Sequence, residues 1–340
     1  MERLRQAIPL ITAWYAKNRK ALPWREEQTP YHVWISEIML QQTRIEAVIP
    51  YYKRFLRAFP DVQALARAPE EQLLKLWEGL GYYSRARNLQ KAARQICDLY
   101  GGEIPETAEE LERLPGIGAY TAGAIASIAC GKPEPAVDGN VLRVLARFDA
   151  SNADVTAPAV RKRTTEKLRA VYPSGAAAGA LTEGLMELGE TVCLPNAAPR
   201  CAVCPLAGLC AAHARKRETD FPVRGAKKER RIEQKTVLLL QCGDLTALKK
   251  RPDTGLLARM WGFPMADGAW DQDTVLARFP GADIVPLGEA VHLFTHVEWH
   301  MVGWRVRLNA PTDGFLWASR EEILQRYAVP TAFKPYLRQL

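Results

Sequence analysis

The sequence predicts a chain of two parts, an all-α region followed by a smaller α+β domain. Its 340 residues exceed what one hydrophobic core commonly organises, so at least two domains are expected. Apolar residues recur with the 3.6-residue period of helices almost everywhere before residue 215. From about residue 234 the pattern becomes that of short strands separated by turns. These observations assign 1–214 to the helical region, 215–233 to a basic linker and 234–340 to the second domain.

Capping signals and periodicity place the helices of the first region. Thr29 followed by Pro30 offers a side-chain cap and a proline at the first helical position, which predicts a helix from there to Gln42. Further helical periods cover 2–18, 45–59, 70–76, 84–100, 108–114, 120–130, 140–148, 160–171 and 176–191.

The second domain is predicted from its strand patterns. Apolar runs at 236–241 and 245–249 flank Cys242-Gly243-Asp244, which favours a hairpin. A long strand rich in Trp and Val is predicted over 297–308. Ser319 and Glu322 form a capping box that opens a last helix.

A glycine-rich turn and a nearby aspartate are the first candidates for function. The sequence LPGIG at 114–118 is typical of a tight turn between helices, whose open backbone amides favour an anion such as phosphate. Asp138 follows in the turn AVDGN at 136–140, directly before another helix. From its position alone, Asp138 is either a functional carboxylate or an ordinary helix N-cap.

Four of the seven cysteines are clustered, at positions 193, 201, 204 and 210. Such clustering predicts a metal site, and disulfides are disfavoured because we expect no secretory signal at the charged start of the chain. Four thiolates hold either one zinc ion or a [4Fe–4S] cluster, and their spacing does not separate these two.

Composition sets the expected surroundings of the protein. A formal net charge of +8 suggests a polyanionic partner, although many basic proteins bind no nucleic acid. The longest apolar run, 122–130, is far too short to cross a bilayer, so no membrane association is expected. We expect a monomer in the cytoplasm, associated with the nucleoid.

Longer motifs resemble those of the helix-hairpin-helix DNA glycosylases of the endonuclease III superfamily, and most closely the MutY adenine DNA glycosylases. Besides the hairpin and the cysteines, they are LPWR at 22–25, VWISEIMLQQT at 33–43, EGLGYYSR at 78–85 and VDGN at 137–140. The resemblance covers nearly the whole chain. It implies a six-helix hairpin module at about 30–133 and a cluster module formed by 1–29 and 134–214.

The end of the chain resembles the MutT-like (Nudix) fold, at RPDTGLL 251–257 and WGFP 261–264. The Gly-x5-Glu-x7-Arg-Glu array that binds catalytic Mg²⁺ in Nudix hydrolases is absent from this sequence. The resemblance therefore implies a domain that reads a base and does not hydrolyse a nucleotide.

The resemblance also implies catalytic residues. Glu37 is the candidate general acid, since its apolar neighbours would raise its pKa and keep it protonated. Asp138 would stabilise the cationic sugar, while Tyr120 and Asn140 would orient these two groups. Tyr120 stands where relatives that also cut the strand carry a lysine, which implies a monofunctional enzyme. Without the resemblance, Glu37 would be an exposed helix carboxylate and Tyr120 a packed aromatic.

Further residues are implied to bind DNA, again by resemblance. The adenine pocket comprises Trp24, Arg25 and Glu183. The surrounding DNA contacts are Gln42, Thr43, Leu80, Tyr82, Leu114, Gly116 and Gly118. Recognition of 8-oxoguanine falls to Phe294, Thr295 and His296. Leu80 and Tyr82 could equally be core residues, and 294–296 could be an ordinary turn at a strand end.

The cofactor implied by the resemblance is a [4Fe–4S] cluster on Cys193, Cys201, Cys204 and Cys210, in preference to zinc. This sequence departs from the family pattern at one point, because seven residues separate Cys193 from Cys201 where the family has six. A site with four protein ligands has no open position, so its predicted role is to hold the loop together.

The function predicted on this basis is removal of adenine mispaired with 8-oxoguanine or guanine in double-stranded DNA, without strand cleavage. Two alternatives stay open from the sequence. One is a thymine-mismatch or pyrimidine-damage glycosylase of the same superfamily, and the other is a lesion-binding protein without catalysis.

Overall fold

The computed structural model describes residues 1–225 and 229–340, which form two compact units. The first unit contains Met1–Arg67 and Asn88–Ala226, and the second contains Ala68–Arg87 and Lys227–Leu340. The segment Ala68–Arg87 is thus grouped with the C-terminal part of the chain. Residues 226–228 of the predicted basic linker lie outside the described residues.

Fifteen α-helices occur in the described part of the chain. In chain order they are α1 Glu2–Asn18, α2 Pro30–Leu40, α3 Ile45–Ala58, α4 Val62–Arg67, α5 Glu70–Trp77, α6 Ser84–Tyr100, α7 Ala108–Leu111, α8 Ala119–Ala124, α9 Gly139–Asp149, α10 Pro158–Arg169, α11 Ala176–Thr191, α12 Ala211–Ala214, α13 Gln272–Arg278, α14 Arg320–Arg326 and α15 Lys334–Leu337.

Two helices depart from their predicted bounds in ways that shape the site. The Thr29 side chain caps α2 as predicted, accepting from the His32 amide, but α2 ends at Leu40. Gln42 has a left-handed backbone with φ +59°, so it cannot continue the helix. α8 ends at Ala124 and continues as a π-helical turn, Ile125–Ala129, that the residue period does not predict.

The helices of the first unit pack closely where α1 meets α11. Their shared core includes Leu4, Ile11, Leu181 and Leu185. A side chain at Gly184 would place its Cβ 2.9 Å from Ile11 Cγ2, so only glycine permits this approach of the two helices.

The second unit contains a mixed seven-stranded sheet. Its strands are β1 Arg231–Cys242, β2 Leu245–Lys250, β3 Trp261–Gly262, β4 Met265–Asp267, β5 Asp283–Leu293, β6 Val297–Arg307 and β7 Leu316–Ser319. The spatial order is β3-β2-β1-β6-β5, with β4 beside β1 and β7 beside β2. β1 and β6 are parallel, and the other pairs are antiparallel.

Strand β1 is buried on both faces. Val237 and Leu239 pack into an apolar cluster with Phe333 and Tyr336, on the side of α14 and α15. Leu238 and Leu240 pack on the opposite face with Val275 of α13. Two covered faces explain why this strand is a continuous apolar run and does not alternate.

Described residues at both ends of the predicted linker belong to defined structure. Phe221 is buried against Ala150 and Ala212, and its carbonyl accepts from Arg147 Nε at 2.9 Å. At the other end of the segment, Arg231 already begins β1. The basic side chains at 215–217 suggested a solvated linker, but the buried aromatic ring fixes the residues that follow them to the first unit.

Within the described residues, the structure contains no helix that is both long and apolar enough to span a membrane.

Candidate active site

A cavity of about 620 Å³ opens into the first unit and is lined by all of the predicted catalytic and adenine-pocket residues. The predicted residues that line it are Trp24, Arg25, Glu37, Gln42, Thr43, Tyr120, Asp138, Asn140 and Glu183. They come from parts of the chain more than one hundred residues apart, which α2, α8, α9 and α11 bring together.

Glu37 lies on the buried face of α2, with 7% of its surface exposed. Burial raises the pKa of this carboxyl from 4.5 to about 7, and the charges of Asp138 and Glu183 add to the rise. A hydrogen bond from Tyr120 acts in the opposite direction by stabilising the carboxylate. The carboxyl can therefore keep a proton closer to neutral pH than an exposed glutamate does, as a general acid requires.

Tyr120 lies in the first turn of α8 and lines the cavity. Its hydroxyl donates a hydrogen bond to Glu37 Oε2. Burial and the neighbouring Glu37 charge raise the pKa of the Tyr120 phenol well above its usual range. The phenol thus stays protonated and acts as a donor, which fixes one oxygen of the Glu37 carboxyl and leaves Oε1 to carry the acidic proton.

Asp138 caps α9 and is held from two sides. Its Oδ1 accepts from the Val141 amide at 2.7 Å, and its Oδ2 accepts from Asn140 Nδ2 at 2.8 Å. Burial raises the pKa of Asp138, while these hydrogen bonds oppose the rise. Asp138 can thus be both a helix N-cap and a functional carboxylate, because capping fixes its side chain at the cavity wall.

Arg143 connects this turn to the start of the cysteine loop. Its Nη2 donates to Asn140 Oδ1 and to the Gly189 carbonyl, both at 2.8 Å, and its Nε donates to the Cys193 carbonyl at 2.8 Å. A Cβ at Gly189 would lie 2.6 Å from Asn140 Cβ, so α11 needs glycine there. Asp138 and Cys193 are therefore joined by one hydrogen-bond chain.

The cavity lining also includes an ion-pair network around Glu183. Arg25 Nε donates to Glu183 Oε1 at 2.9 Å, while Arg25 Nη1 pairs with Glu187 Oε2 at 2.6 Å. Glu183 Oε2 accepts from Tyr15 at 2.9 Å and from Gln28 at 3.0 Å. The Glu183 carboxylate is surrounded by donors and is held as an acceptor.

The predicted hairpin forms at 114–118 but does not line the cavity. Leu114 is buried, and its carbonyl accepts from the Ile117 amide at 3.2 Å. Gly116 has φ +79°, and Gly118 is the N-cap of α8. Both glycines are exposed, which leaves this turn accessible to a partner in solution.

The four clustered cysteines line one small cavity, together with apolar side chains such as Phe148 and Leu206. Burial raises the pKa of Cys201 to about 12 and of Cys204 to about 11. Arg147 Nη1 lies 3.3 Å from Cys193 Sγ and offers it a hydrogen bond. Four sulfurs around one apolar cavity, with a cation beside one of them, fit a group held by thiolates.

The remaining predicted residues lie in the second unit. Leu80 is buried, whereas Tyr82 is 47% exposed and has φ +47°. The Tyr82 hydroxyl lies 3.0 Å from Thr295 Oγ1. Phe294 packs edge-on against Trp299 in the turn between β5 and β6, and His296 is exposed at the same turn.

Several residues of the cavity and of the hydrogen-bond network around Glu183 were missed from the sequence. Glu187 lies one helical turn after Glu183, a spacing that could have indicated it. The sequence gives no comparable signal for Tyr15 and Gln28, because Glu183, to which both donate, is more than 150 residues away. Arg161 also lines the cavity and donates to the carbonyl of Val137, next to Asp138.

Comparison with known families agrees with this geometry. The model for HhH-GPD superfamily base excision DNA repair proteins matches residues 35–170, and a NUDIX domain model matches residues 236–339. A thermostable thymine-DNA glycosylase structure is similar in fold, with a TM-score of 0.56 and 27% identity, over 63% of this chain and 98% of that chain. The fold and site thus define a base excision DNA repair protein with an added Nudix-like domain.

Relatives that match nearly the whole chain identify its family within the base excision repair proteins. The adenine DNA glycosylases of Rattus norvegicus and Homo sapiens are each 34% identical over 96% of this chain, which covers 76% and 72% of those proteins. The chain belongs to the adenine DNA glycosylase family, and the predicted resemblance and fold class are confirmed.

Proposed function

We propose that this protein excises adenine mispaired with 8-oxoguanine or guanine in double-stranded DNA, and that it does so as a monofunctional enzyme. The observation that carries the proposal is the buried Glu37 carboxyl, with a pKa of about 7, in the same cavity as Asp138. Two carboxyl groups with different environments are the arrangement expected of acid-assisted cleavage of a glycosidic bond.

Glu37 supplies the proton. An adenine extruded from the duplex into the cavity presents its ring nitrogen N7, which accepts the proton of Glu37. The bond between the sugar and the base then breaks, and its electron pair leaves with the neutralised base. Such general acid catalysis contributes about 10²–10⁴-fold to rate.

Asp138 stabilises the sugar cation that forms. Its carboxylate is fixed by Val141 and Asn140, so it opposes the developing charge without having to reorient. Water then adds to the anomeric carbon and gives up one proton to a carboxylate of the cavity, which leaves a neutral abasic site.

The absence of an amine supports the monofunctional assignment. Among the residues described as lining the cavity there is no lysine, and Tyr120 is committed to Glu37. The cavity lining therefore offers no lysine amine that could form a Schiff base with the sugar. We expect the DNA strand to stay intact.

The turn 294–296 of the second unit is the proposed reader of 8-oxoguanine. Thr295 and His296 are exposed there and offer hydrogen-bond groups, and Tyr82 lies beside them in the same unit. The exposed hairpin amides at Gly116 and Gly118 are the proposed phosphate contacts.

A [4Fe–4S] cluster is the proposed cofactor of the cysteine loop. Cys193, Cys201, Cys204 and Cys210 would hold it, and when bound it would tie together a loop that contains only short helical turns. Iron and acid-labile sulfide, measured on purified protein, should be present in equal amounts; zinc without sulfide would contradict this assignment. We further propose a monomer that acts in the cytoplasm on nucleoid DNA.

The substrate assignment is tested by single-turnover incubation with duplexes carrying A:8-oxoG, A:G, T:G and U:G pairs, with and without alkali. Adenine release, with strand breaks appearing only after alkali, is expected from the first two duplexes. Release of thymine or uracil instead would place the protein with the pyrimidine glycosylases. Tight binding with no base released would identify a lesion binder.

A further inference from the structure

Tyr15, on α1, donates a hydrogen bond to Glu183. Of the three residues that donate to Glu183, Tyr15 is the most distant in the sequence. Its side chain is buried, and its hydroxyl donates to Glu183 Oε2 over 2.9 Å. The glycine at position 184 makes this approach possible, since a Cβ there would lie 3.1 Å from Tyr15 Cβ. The contact between Tyr15 and Glu183 thus depends on the glycine that directly follows Glu183 in α11.

Three donors define what Glu183 can still offer to a ligand. Oε2 accepts from both Tyr15 and Gln28, and Oε1 accepts from Arg25 Nε. A carboxylate has about four acceptor positions, so one position on Oε1 is left for the cavity. Burial and the Glu183 charge raise the pKa of the Tyr15 hydroxyl, which keeps it a donor.

We infer that Tyr15 is a positioning residue that makes Glu183 selective for a 6-amino purine over a 6-oxo purine. The inference rests on the proposed function, because it assumes that the extruded base faces Glu183. An exocyclic amino group donates to the free position on Oε1, whereas a carbonyl oxygen at the same place would meet an acceptor. Tyr15 acts through Glu183 and does not itself line the cavity.

Loss of the Tyr15 hydroxyl should therefore change selectivity more than folding. With one donor fewer, the Glu183 carboxyl is free to rotate away from the orientation that Tyr15 fixes. Adenine excision should slow by about tenfold, because a hydrogen bond to a charged group is worth at least one factor of ten. Excision of hypoxanthine, the 6-oxo counterpart of adenine, should slow less or accelerate.

The experiment compares adenine and hypoxanthine opposite 8-oxoguanine under single-turnover conditions, in wild type, Tyr15→Phe and Tyr31→Phe. Tyr31 is a matched control, since it is a buried tyrosine of the same unit whose hydroxyl donates to the Phe59 carbonyl at 2.8 Å. The ratio of the two rates is independent of the active fraction in each preparation. It should fall several-fold in Tyr15→Phe and stay at the wild-type value in Tyr31→Phe.

A second variant, Gln28→Leu, removes the other donor to Oε2 and should lower the same ratio. An unchanged ratio in Tyr15→Phe, or an equal fall in Tyr31→Phe, would overturn the inference. A wild-type protein that releases no adenine would instead refute the proposed function, so the two failures are distinguishable.

Discussion

Replacing Glu37 by Gln should stabilise the protein while abolishing its chemistry, because the buried acid costs folding free energy whenever it is ionised. Its pKa rises from 4.5 to about 7 in the folded state. At 1.36 kcal/mol for each pKa unit, the cost approaches about 3 kcal/mol once the pH exceeds both values. Between these values the folded protein retains a proton that the unfolded chain has lost, so wild-type stability falls as pH rises.

The assay is urea denaturation followed by tryptophan fluorescence at several pH values, in wild type and Glu37→Gln. Trp24 and Trp34 are buried in the same unit and report on its unfolding. The stability difference in favour of Glu37→Gln should grow by about 3 kcal/mol between pH 4.5 and pH 8. Exposed Glu112, changed to Gln, is the control and should give no such growth. A pH-independent difference for Glu37→Gln would refute the raised pKa.

Further tests concern the pH dependence of excision, the stability of the fold and the binding of DNA. The excision rate should fall above about pH 7 as Glu37 loses its proton, and at low pH as Asp138 gains one; a rate that is flat across both limits would contradict these roles. Arg143→Met should lower the free energy of unfolding by about 2–5 kcal/mol in denaturation experiments, because buried carbonyls lose their donor. Gly116→Ala should weaken duplex binding in a titration, since φ is +79° and the added Cβ would lie 2.6 Å from Asn88 Cβ.

Matched controls exist for the last two variants. Arg163→Met removes an exposed arginine and should leave stability unchanged; equal loss in both arginine variants would contradict the Arg143 assignment. Gly118→Ala adds a Cβ with nothing within 4 Å, at φ −102°, and keeps the backbone conformation, so it should bind duplex more tightly than Gly116→Ala. If Gly116→Ala binds as well as Gly118→Ala, the hairpin conformation does not matter for binding.

Local signals in the sequence predicted the elements that depend on local physics. The Thr29 cap, the Ser319 capping box and the hairpin of β1 and β2 all form where short-range rules place them. The apolar sequence around Glu37 correctly indicated burial of its carboxyl. The long strand predicted from residue 297 is β6.

Features that depend on distant contacts were not predictable. Tyr15 and Gln28 donate to Glu183 from positions more than 150 residues away in the sequence. The grouping of Ala68–Arg87 with the C-terminal residues likewise follows from tertiary contacts and not from any local pattern. The buried ring of Phe221 sits in a polar stretch whose composition suggests a linker, and one aromatic residue carries too little signal to overrule that composition.

The most direct test of the central claim measures excision and binding together on an A:8-oxoG duplex, for wild type and Glu37→Gln. We expect the single-turnover rate of adenine release to fall by at least about 10² in the variant, while the dissociation constant for the duplex changes by less than about threefold. Unchanged turnover in Glu37→Gln would contradict the claim that this buried carboxyl is the general acid.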